Sequence, residues 1–261
     1  MNEGLRRLIL PEPHPDIAHM VIVQEPPKDF QRIFSGRHDV EIIPMSGRGL
    51  SRSRNRALAA CRSPVMLVAD DDLVFNIEAC LEGARRLTGD KSIDFLAGVL
   101  GDAHGSPRHQ ISAIEEKISR NKMRDIWSPE LMIKVDRVRE ADIAFSPLFG
   151  LGARWPAGEE ALFALDMLNA GLVGLSVPII FSEHEAESTG ERAANIRVME
   201  AQIRVASAKS GISGGIRRKA RKLIEGARAG LPATDLVKLF VCGHSRGQRP
   251  LLSEQIKKEA W

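Results

Sequence analysis

Apolar and polar stretches alternate regularly over the first hundred residues and less regularly afterwards. Compact apolar runs at 18–24, 40–45, 65–69 and 93–100 read as strands. Segments of helical composition follow the first three, at 28–34, 50–61 and 76–87, with Ser51 available to cap the second helix. Repeated strand–helix–strand units of this length predict an α/β fold: a Rossmann-like, mostly parallel sheet flanked by helices, with right-handed crossovers. Between 101 and 129 the pattern thins. Ile111, Ile114 and Ile118 share one helical face there, which predicts a helix lying over an opening. Short strands are expected at 131–135 and 143–145. A helix is expected from Gly158 to about Asn169, with Leu162, Leu165 and Leu168 on its apolar side, and a last strand at 177–181. Beyond 191 the chain reads as helices separated by glycine-rich breaks at 211–215 and 230–232. The expected organisation is an N-terminal arm (1–17), a main domain (18–190) divided at 100/101, and a helical C-terminal region (191–261).

Composition narrows this only moderately. The 261 residues, 43% hydrophobic and 27% charged, suit one sizeable α/β domain with an appendage. With 37 Lys+Arg against 34 Asp+Glu the net charge is +3, so bulk electrostatics argue for no nucleic-acid partner. Cys61, Cys80 and Cys242 are too scattered for a disulfide framework or a zinc knuckle, and a reducing, cytoplasmic compartment fits. The apolar core at Leu8-Ile9-Leu10 runs into Pro11, Pro13 and Pro15 and is too short for a signal peptide. The longest apolar run, 171–181, is broken by Ser176 and Pro178 and falls short of the roughly 20 residues of a membrane span. Segment 216–229 is a basic amphipathic helix. Arg217, Arg218, Lys219, Arg221, Lys222 and Arg228 lie on one side of its wheel, Ile216, Ala220, Leu223, Ile224 and Ala227 on the other. It reads either as a packed helix with a solvated basic face or as a peripheral contact with the inner face of a membrane.

The chemistry concentrates after the strand at 65–69, which is apolar throughout as befits burial on both faces, and which stops in Asp70, Asp71 and Asp72. Ligands of open α/β sheets bind at the carboxyl ends of strands. Three adjacent carboxylates repel one another, and a bound cation relieves them; hard oxygen ligands with a diphosphate select Mg²⁺ or Mn²⁺. The plainer alternative is a solvated turn that caps the next helix. Upstream, Arg48, Arg52, Arg54 and Arg56 surround a glycine turn and a helix N-terminus, which suits a diphosphate, although helical spacing lets one or two at most face one site. Neither a Walker A loop nor a Gly-x-Gly-x-x-Gly fingerprint occurs. Glu159 and Glu160 begin a helix, where they either complement its dipole or supply a general base. Trp155 just before them offers a face for an acceptor sugar ring. His184, between Glu183 and Glu185, is a metal ligand, a phosphate contact or a surface histidine.

These residues resemble a known family. Gly49-Leu50-Ser51-Arg52-Ser53-Arg54-Asn55-Arg56-Ala57-Leu58 and Ala69-Asp70-Asp71-Asp72 look like the nucleotide-binding half of family 2 glycosyltransferases, which have the GT-A fold. Phe149-Gly150-Leu151-Gly152-Ala153, Gly158-Glu159-Glu160-Ala161-Leu162-Phe163, and His184 with Ser188-Thr189-Gly190 look like the acceptor half of one bacterial branch. The resemblance implies nucleotide binding by 18–100 and acceptor binding by 101–190. It makes the aspartate triplet the family's Asp-x-Asp element, with Asp70 toward the nucleoside or ribose and also a candidate metal ligand, Asp71 beside it on the donor, and Asp72 on the metal. It puts Gln24 and Glu25 near the base of the nucleotide, Arg48 and Arg54 on the donor, and Glu160 in the place of the catalytic base with Glu159 beside it. Many members carry an Asp after the second strand that reads the base; Met45-Ser46 offers none, so UDP- and GDP-linked donors both stay open.

The function so implied is a metal-dependent inverting glycosyltransferase of polysaccharide or glycoconjugate synthesis. It would move a sugar from a nucleotide-sugar to a hydroxyl of a saccharide or lipid-linked acceptor. Two rivals stand beside it. A sugar-phosphate nucleotidyltransferase normally has a Gly-rich loop after the first strand, where this chain has Glu25-Pro26-Pro27. A non-catalytic nucleotide-sugar or membrane-surface binding module would make its functional contact through the basic helix.

Overall fold

The computed structural model describes residues 5, 8–28, 30, 34–108, 114–120, 128–184, 195–242 and 251–259, the last four without their side chains. Strands β1 (His19–Gln24) and β2 (Val40–Met45) pair in parallel, in register from His19 opposite Val40 to Gln24 opposite Met45. Helix α1 (Leu50–Ala60) follows and packs on β1. A second sheet comprises β3 (Val65–Leu67), β4 (Val74–Phe75), β5 (Phe95–Gly101), β6 (Glu116–Lys117), β7 (Leu131–Lys134) and β8 (Gly174–Glu183). Its order is β3-β7-β5-β8-β4, with β6 also on β8.

The α/β class holds, but this second sheet is mixed. Only β5 and β8 run parallel, whereas β3–β7, β5–β7, β4–β8 and β6–β8 are antiparallel. The reason lies in β7, which returns between β3 and β5 and reverses the local direction. Strand periodicity carries over directly into the core. Phe95, Ala97, Leu131 and Ile133 point to one face, and Leu96 and Met132 to the other. On the first face Phe145 and Phe163 stack with centroids 3.9 Å apart. On the second, α2 (Ile77–Gly89) brings Leu87 against Met132 and Phe181. Asn76 caps α2 by accepting the Ala79 N–H at 3.1 Å.

Helix α1 is fixed by its own phase. Ser51, Arg54, Asn55 and Leu58, at intervals of three and four, form its inward face and are buried. Ser51 Oγ donates to the Phe149 carbonyl at 2.7 Å. Asn55 donates to the Phe145 carbonyl at 2.9 Å and accepts the Phe145 N–H at 2.7 Å. Short helix α3 (Val135–Glu140) contributes Arg139, whose guanidinium donates to the carbonyls of Leu58, Ala59 and Cys61 at the end of α1. Those carbonyls lack helical partners, so Arg139 supplies the cap that the sequence gives no glycine for.

Several expectations differ from what is found. Residues 143–145 form no strand; they are a buried segment in which the Ile143 N–H donates to the Val138 carbonyl and the Phe145 backbone pairs with the Asn55 amide instead of a neighbouring strand. Of the helix expected across 101–129, the part described at 114–120 is not helical. Glu116–Lys117 pairs with β8, the Ile118 N–H donates to the Gly174 carbonyl, and Ile118 is buried while Ile114 is exposed. Ile111 lies outside the described residues, as do most of 28–34 and all of Glu185, Ser188, Thr189 and Gly190.

The C-terminal region is helical where it is described. Helix α4 (Glu159–Asn169) leads into β8, and α5 (Ile196–Arg228) follows, broken at Gly211 by a φ of 68° and ψ of −162°. Helices α6 (Ala233–Val241) and α7 (Leu252–Glu259) complete the order. Helix α7 returns to the main body, where Leu252 joins the core and Ser253 donates to Asp142 through its N–H at 2.8 Å and its hydroxyl at 2.7 Å. Among the described residues no helix is long and apolar enough to cross a membrane.

Candidate active site

An open cleft of 2780 Å³ runs over the carboxyl ends of β1 and β3 and the N-terminus of α4. Gln24, Glu25, Arg48, Arg54, Asp70, Asp71, Asp72, Glu159, Glu160 and His184, all singled out from the sequence, line it. Trp155 does not: it is 9% exposed, tilted against Phe149 at 4.8 Å and covered by the Arg204 guanidinium at 4.2 Å. The ring expected to face an acceptor sugar is therefore part of the packing under the site. Pro156, Ala157 and Gly158, immediately after it, form the cleft wall.

The centre of the site is Arg54. Its side chain, 6% exposed, donates through Nη1 to Glu159 Oε1 at 2.9 Å and Glu160 Oε1 at 2.8 Å, and through Nη2 to Asp70 Oδ1 at 2.9 Å. The fork thus joins the end of β3 to the start of α4. The sequence suggested a diphosphate contact for Arg54; the geometry commits its guanidinium to carboxylates. Arg48, the other arginine expected on the donor, is exposed and pairs with Glu25 at 2.7 Å across the mouth of the cleft. Gln24 is held from both ends of its amide, donating to Ser53 Oγ at 2.8 Å and accepting the Gly49 N–H at 3.0 Å.

Two glycines make room for this arrangement. Gly158 caps the N-terminus of α4 at φ 90°, and a Cβ there would stand 2.6 Å from Val205 of α5. Gly150, at φ 99°, would put a Cβ 3.0 Å from the Glu159 carboxyl carbon and 3.1 Å from Ser51 Oγ. Positive φ and close approach both select glycine at these positions.

Three carboxyls around one guanidinium cannot all ionise cheaply. Burial pushes Glu159 up to about 8, the neighbouring Glu160 charge adds to the rise, and Arg54 opposes it. Burial also raises Asp70, against Arg54 and with Glu160 and Asp72. Burial works against the Arg54 charge, but Glu160, Asp70 and Glu159 outweigh it and hold its pKa above the ordinary value. The rise favours the protonated form of Glu159, whose carboxyl lies beside that of Glu160.

A second pair lies at the other edge of the aspartate turn. His184 Nε2 stands 3.1 Å from Asp72 Oδ2. The loop is anchored by the His184 N–H donating to the Gly101 carbonyl and by Arg108 donating to the His184 carbonyl at 2.5 Å. Directly after Asp72 the chain is anchored by Leu73, which is buried. Ser53, Gly150, Asn55 and Arg108 thus support the site without having been singled out for it. Phase along α1 was the available signal for Asn55 and Arg54; nothing local marked Arg108.

Residues 23–136 match the family model described as Glycosyl transferase family 2. No curated protein matches the sequence. Among solved structures, S. aureus TarS 1-349 is similar with a TM-score of 0.59 at 14% identity, over 90% of this chain and 74% of that one. The S. aureus TarS structure of greater length is covered to 39%. TarS 1-349 in complex with UDP-GlcNAc gives 0.56 at 15% identity, over 91% and 70% of the two chains. Mannosyltransferase PcManGT from Pyrobaculum calidifontis, in complex with GDP-Man and Mn²⁺, gives 0.52 at 11% identity, over 93% and 70%. At such identities the likeness is one of fold, and that fold is GT-A.

Proposed function

We propose that the chain is a metal-dependent inverting glycosyltransferase that moves a sugar from a UDP- or GDP-linked donor to a hydroxyl of a saccharide or lipid-linked acceptor in polysaccharide or glycoconjugate synthesis. The observation that carries this is the convergence of Asp70 and Glu160, from opposite halves of the matched fold, on the single guanidinium of Arg54. Structures of similar fold hold UDP-GlcNAc in one case and GDP-Man with Mn²⁺ in another, which supports a nucleotide-sugar as donor.

Mn²⁺ or Mg²⁺ fits the residues at the turn only in part. Among the described residues no three His, Cys, Asp or Glu side chains gather as a metal cage. Asp70, expected as a ligand, is turned toward Arg54, which leaves Asp72 and His184 as the protein's donors. Mg²⁺ is commonly held by one or two carboxylates with phosphate oxygens and water completing the shell, so Asp72, with His184 beside it, would hold the ion on the protein's side. When bound, the cation would neutralise charge on the diphosphate.

Glu160, in the cleft and held by Arg54, takes the proton of the acceptor hydroxyl. The hydroxyl oxygen bonds to the anomeric carbon as that carbon's bond to the diphosphate oxygen breaks, and the nucleoside diphosphate leaves with the electron pair. Protonated Glu159 lowers the charge crowding beside Glu160. Arg48 and Gln24 lie at the donor end, and segment 216–229 offers a peripheral place at the inner face of a membrane, consistent with a cytoplasmic enzyme.

Release of nucleoside diphosphate from a panel of UDP- and GDP-sugars tests the proposal. Release that needs the divalent cation and rises with acceptor is expected. Donor binding without release would make the chain a binding module, and pyrophosphate exchange with a sugar phosphate would make it a nucleotidyltransferase.

A further inference from the structure

The described surface carries an apolar ridge that the catalytic proposal leaves unused. Ile212 and Ile216 on α5, and Val237, Phe240 and Val241 on α6, are each more than half exposed. The three α6 residues fall at i, i+3 and i+4, on one face, while Leu239 turns inward and is fully buried. The two helices are tied where the ridge crosses: Lys219 Nζ, one turn on from Ile216, donates to the Phe240 carbonyl at 2.8 Å. An exposed patch of large apolar side chains is uncommon on a free surface and marks an interaction site.

The surroundings of the ridge identify its partner by charge. Between 212 and 241 the chain has seven Lys or Arg and only two acids, Glu225 and Asp235, although the whole chain carries no more than +3. Both acids are already engaged, Glu225 by Arg221 at 2.8 Å and Lys222 at 2.5 Å, Asp235 by Lys238 at 2.7 Å. Arg217 follows Ile216 directly and is exposed, and Arg228 is exposed further along the same helix. A second copy of the chain would bury the ridge only by bringing two such basic faces together across a two-fold axis. An anionic bilayer accepts both features, with apolar side chains at the acyl boundary and cations among the headgroups.

We propose that the α5–α6 hairpin docks on an anionic lipid surface, with Val237, Phe240 and Val241 as its inserted edge and the arginines of α5 as its electrostatic contact. This deepens the peripheral membrane contact of the proposed function, on which it rests, and is independent of the transfer chemistry. Failure of lipid docking removes that membrane contact and leaves the transfer chemistry standing, and failure of transfer leaves the docking standing.

Flotation of the full chain with vesicles tests it. Partition into phosphatidylglycerol–phosphatidylcholine vesicles at low salt should exceed that into phosphatidylcholine alone by at least about tenfold and should vanish at high salt. Val237→Asp with Phe240→Asp should lower partition by about tenfold with a nearly unchanged melting temperature, because both side chains are mostly exposed and lose little packing. Arg217→Ala with Arg221→Ala should flatten the salt dependence. Absence of binding at low salt, equal binding to neutral vesicles, or unchanged binding by the double aspartate variant would each overturn the proposal. So would sedimentation as a dimer that the same variant dissociates.

Discussion

Arg54 Nη1 lies 2.8 Å from Glu160 Oε1 on a side chain almost closed to solvent, and the same guanidinium holds Asp70 at 2.9 Å. One cation therefore sets the distance between a strand-end aspartate and a glutamate far along the chain. Removing it leaves three crowded carboxyls without their counter-charge. Arg54→Ala should lower stability by about 3 kcal/mol, in the range found for breaking one side of a buried ion pair. Arg54→Lys keeps the charge but not the fork, and should recover part of the stability while transfer stays impaired. Urea unfolding of both variants measures this. A loss below about 0.5 kcal/mol for Arg54→Ala, as for an ordinary surface substitution, would show that the cluster does not depend on the guanidinium.

The Glu159 proton makes a pH-dependent contribution. Its folded pKa of about 8 lies above the ordinary 4.5, so the folded chain keeps a proton that the unfolded chain has released across that window. The contribution to stability is whole below 4.5 and declines as pH rises toward 8. Asp39, lowered to about 2 by the hydrogen-bonded Arg37, acts in the opposite sense but in more acid solution. His19, lowered by burial, opposes Glu159 near its own midpoint. Glu159→Gln isolates the effect. The variant should lose less stability than the parent between pH 5 and 8, measured as the difference of two unfolding series, and parallel series would place the proton elsewhere.

Much of the architecture was legible because it follows from periods. The first three strands, α1, α2 and α4 lie within a few residues of where apolar spacing puts them. The same spacing, applied to α1, selects 51, 54, 55 and 58 as inward, so the burial of Arg54 was present in the sequence. Reading Arg54 as a donor contact hid it, since charge by itself does not say which partner an inward guanidinium meets. Strand order was not legible: β7 enters between β3 and β5 through pairings over long sequence distances, to which local pattern is blind. Trp155 misled for a related reason. An aromatic beside an acidic helix start looks like a ligand platform until Phe149 and Arg204 are found against it.

The two glutamates should separate kinetically. Glu160→Gln removes the base but keeps the shape, so donor affinity by calorimetry should be unchanged while transfer falls by about 10²–10⁴. Glu159→Gln replaces a group that is already neutral at pH 7 and should reduce transfer far less. The reverse order would move the base to Glu159.

Gly150 joins backbone geometry to the same cluster. Gly150→Ala must place a Cβ 3.0 Å from the Glu159 carboxyl carbon at a φ of 99°. Both the strained backbone and the displaced carboxyl oppose it, and a loss of about 1–3 kcal/mol is expected. Unfolding in urea reads the loss. A neutral substitution would show that the loop carrying Gly150 yields without disturbing α4.

Asp72 and His184 offer the sharpest separation between binding and folding. Their contact at 3.1 Å is at the cleft edge, where the Asp72 side chain is 38% exposed, so little of the core depends on it. Asp72→Asn should leave the melting temperature nearly unchanged, in keeping with exposed substitutions of about ±0.5 kcal/mol. The same variant should weaken Mn²⁺-dependent donor binding by tenfold or more, because it removes the only carboxylate of a two-donor site, and replacing a ligand commonly costs at least about 10-fold. His184→Ala should weaken it in the same direction. Donor titrations with and without chelator measure both. An Asp72→Asn variant that keeps the parent's metal dependence would transfer the cation to Asp70 or Asp71, and with it the division of labour within the aspartate turn.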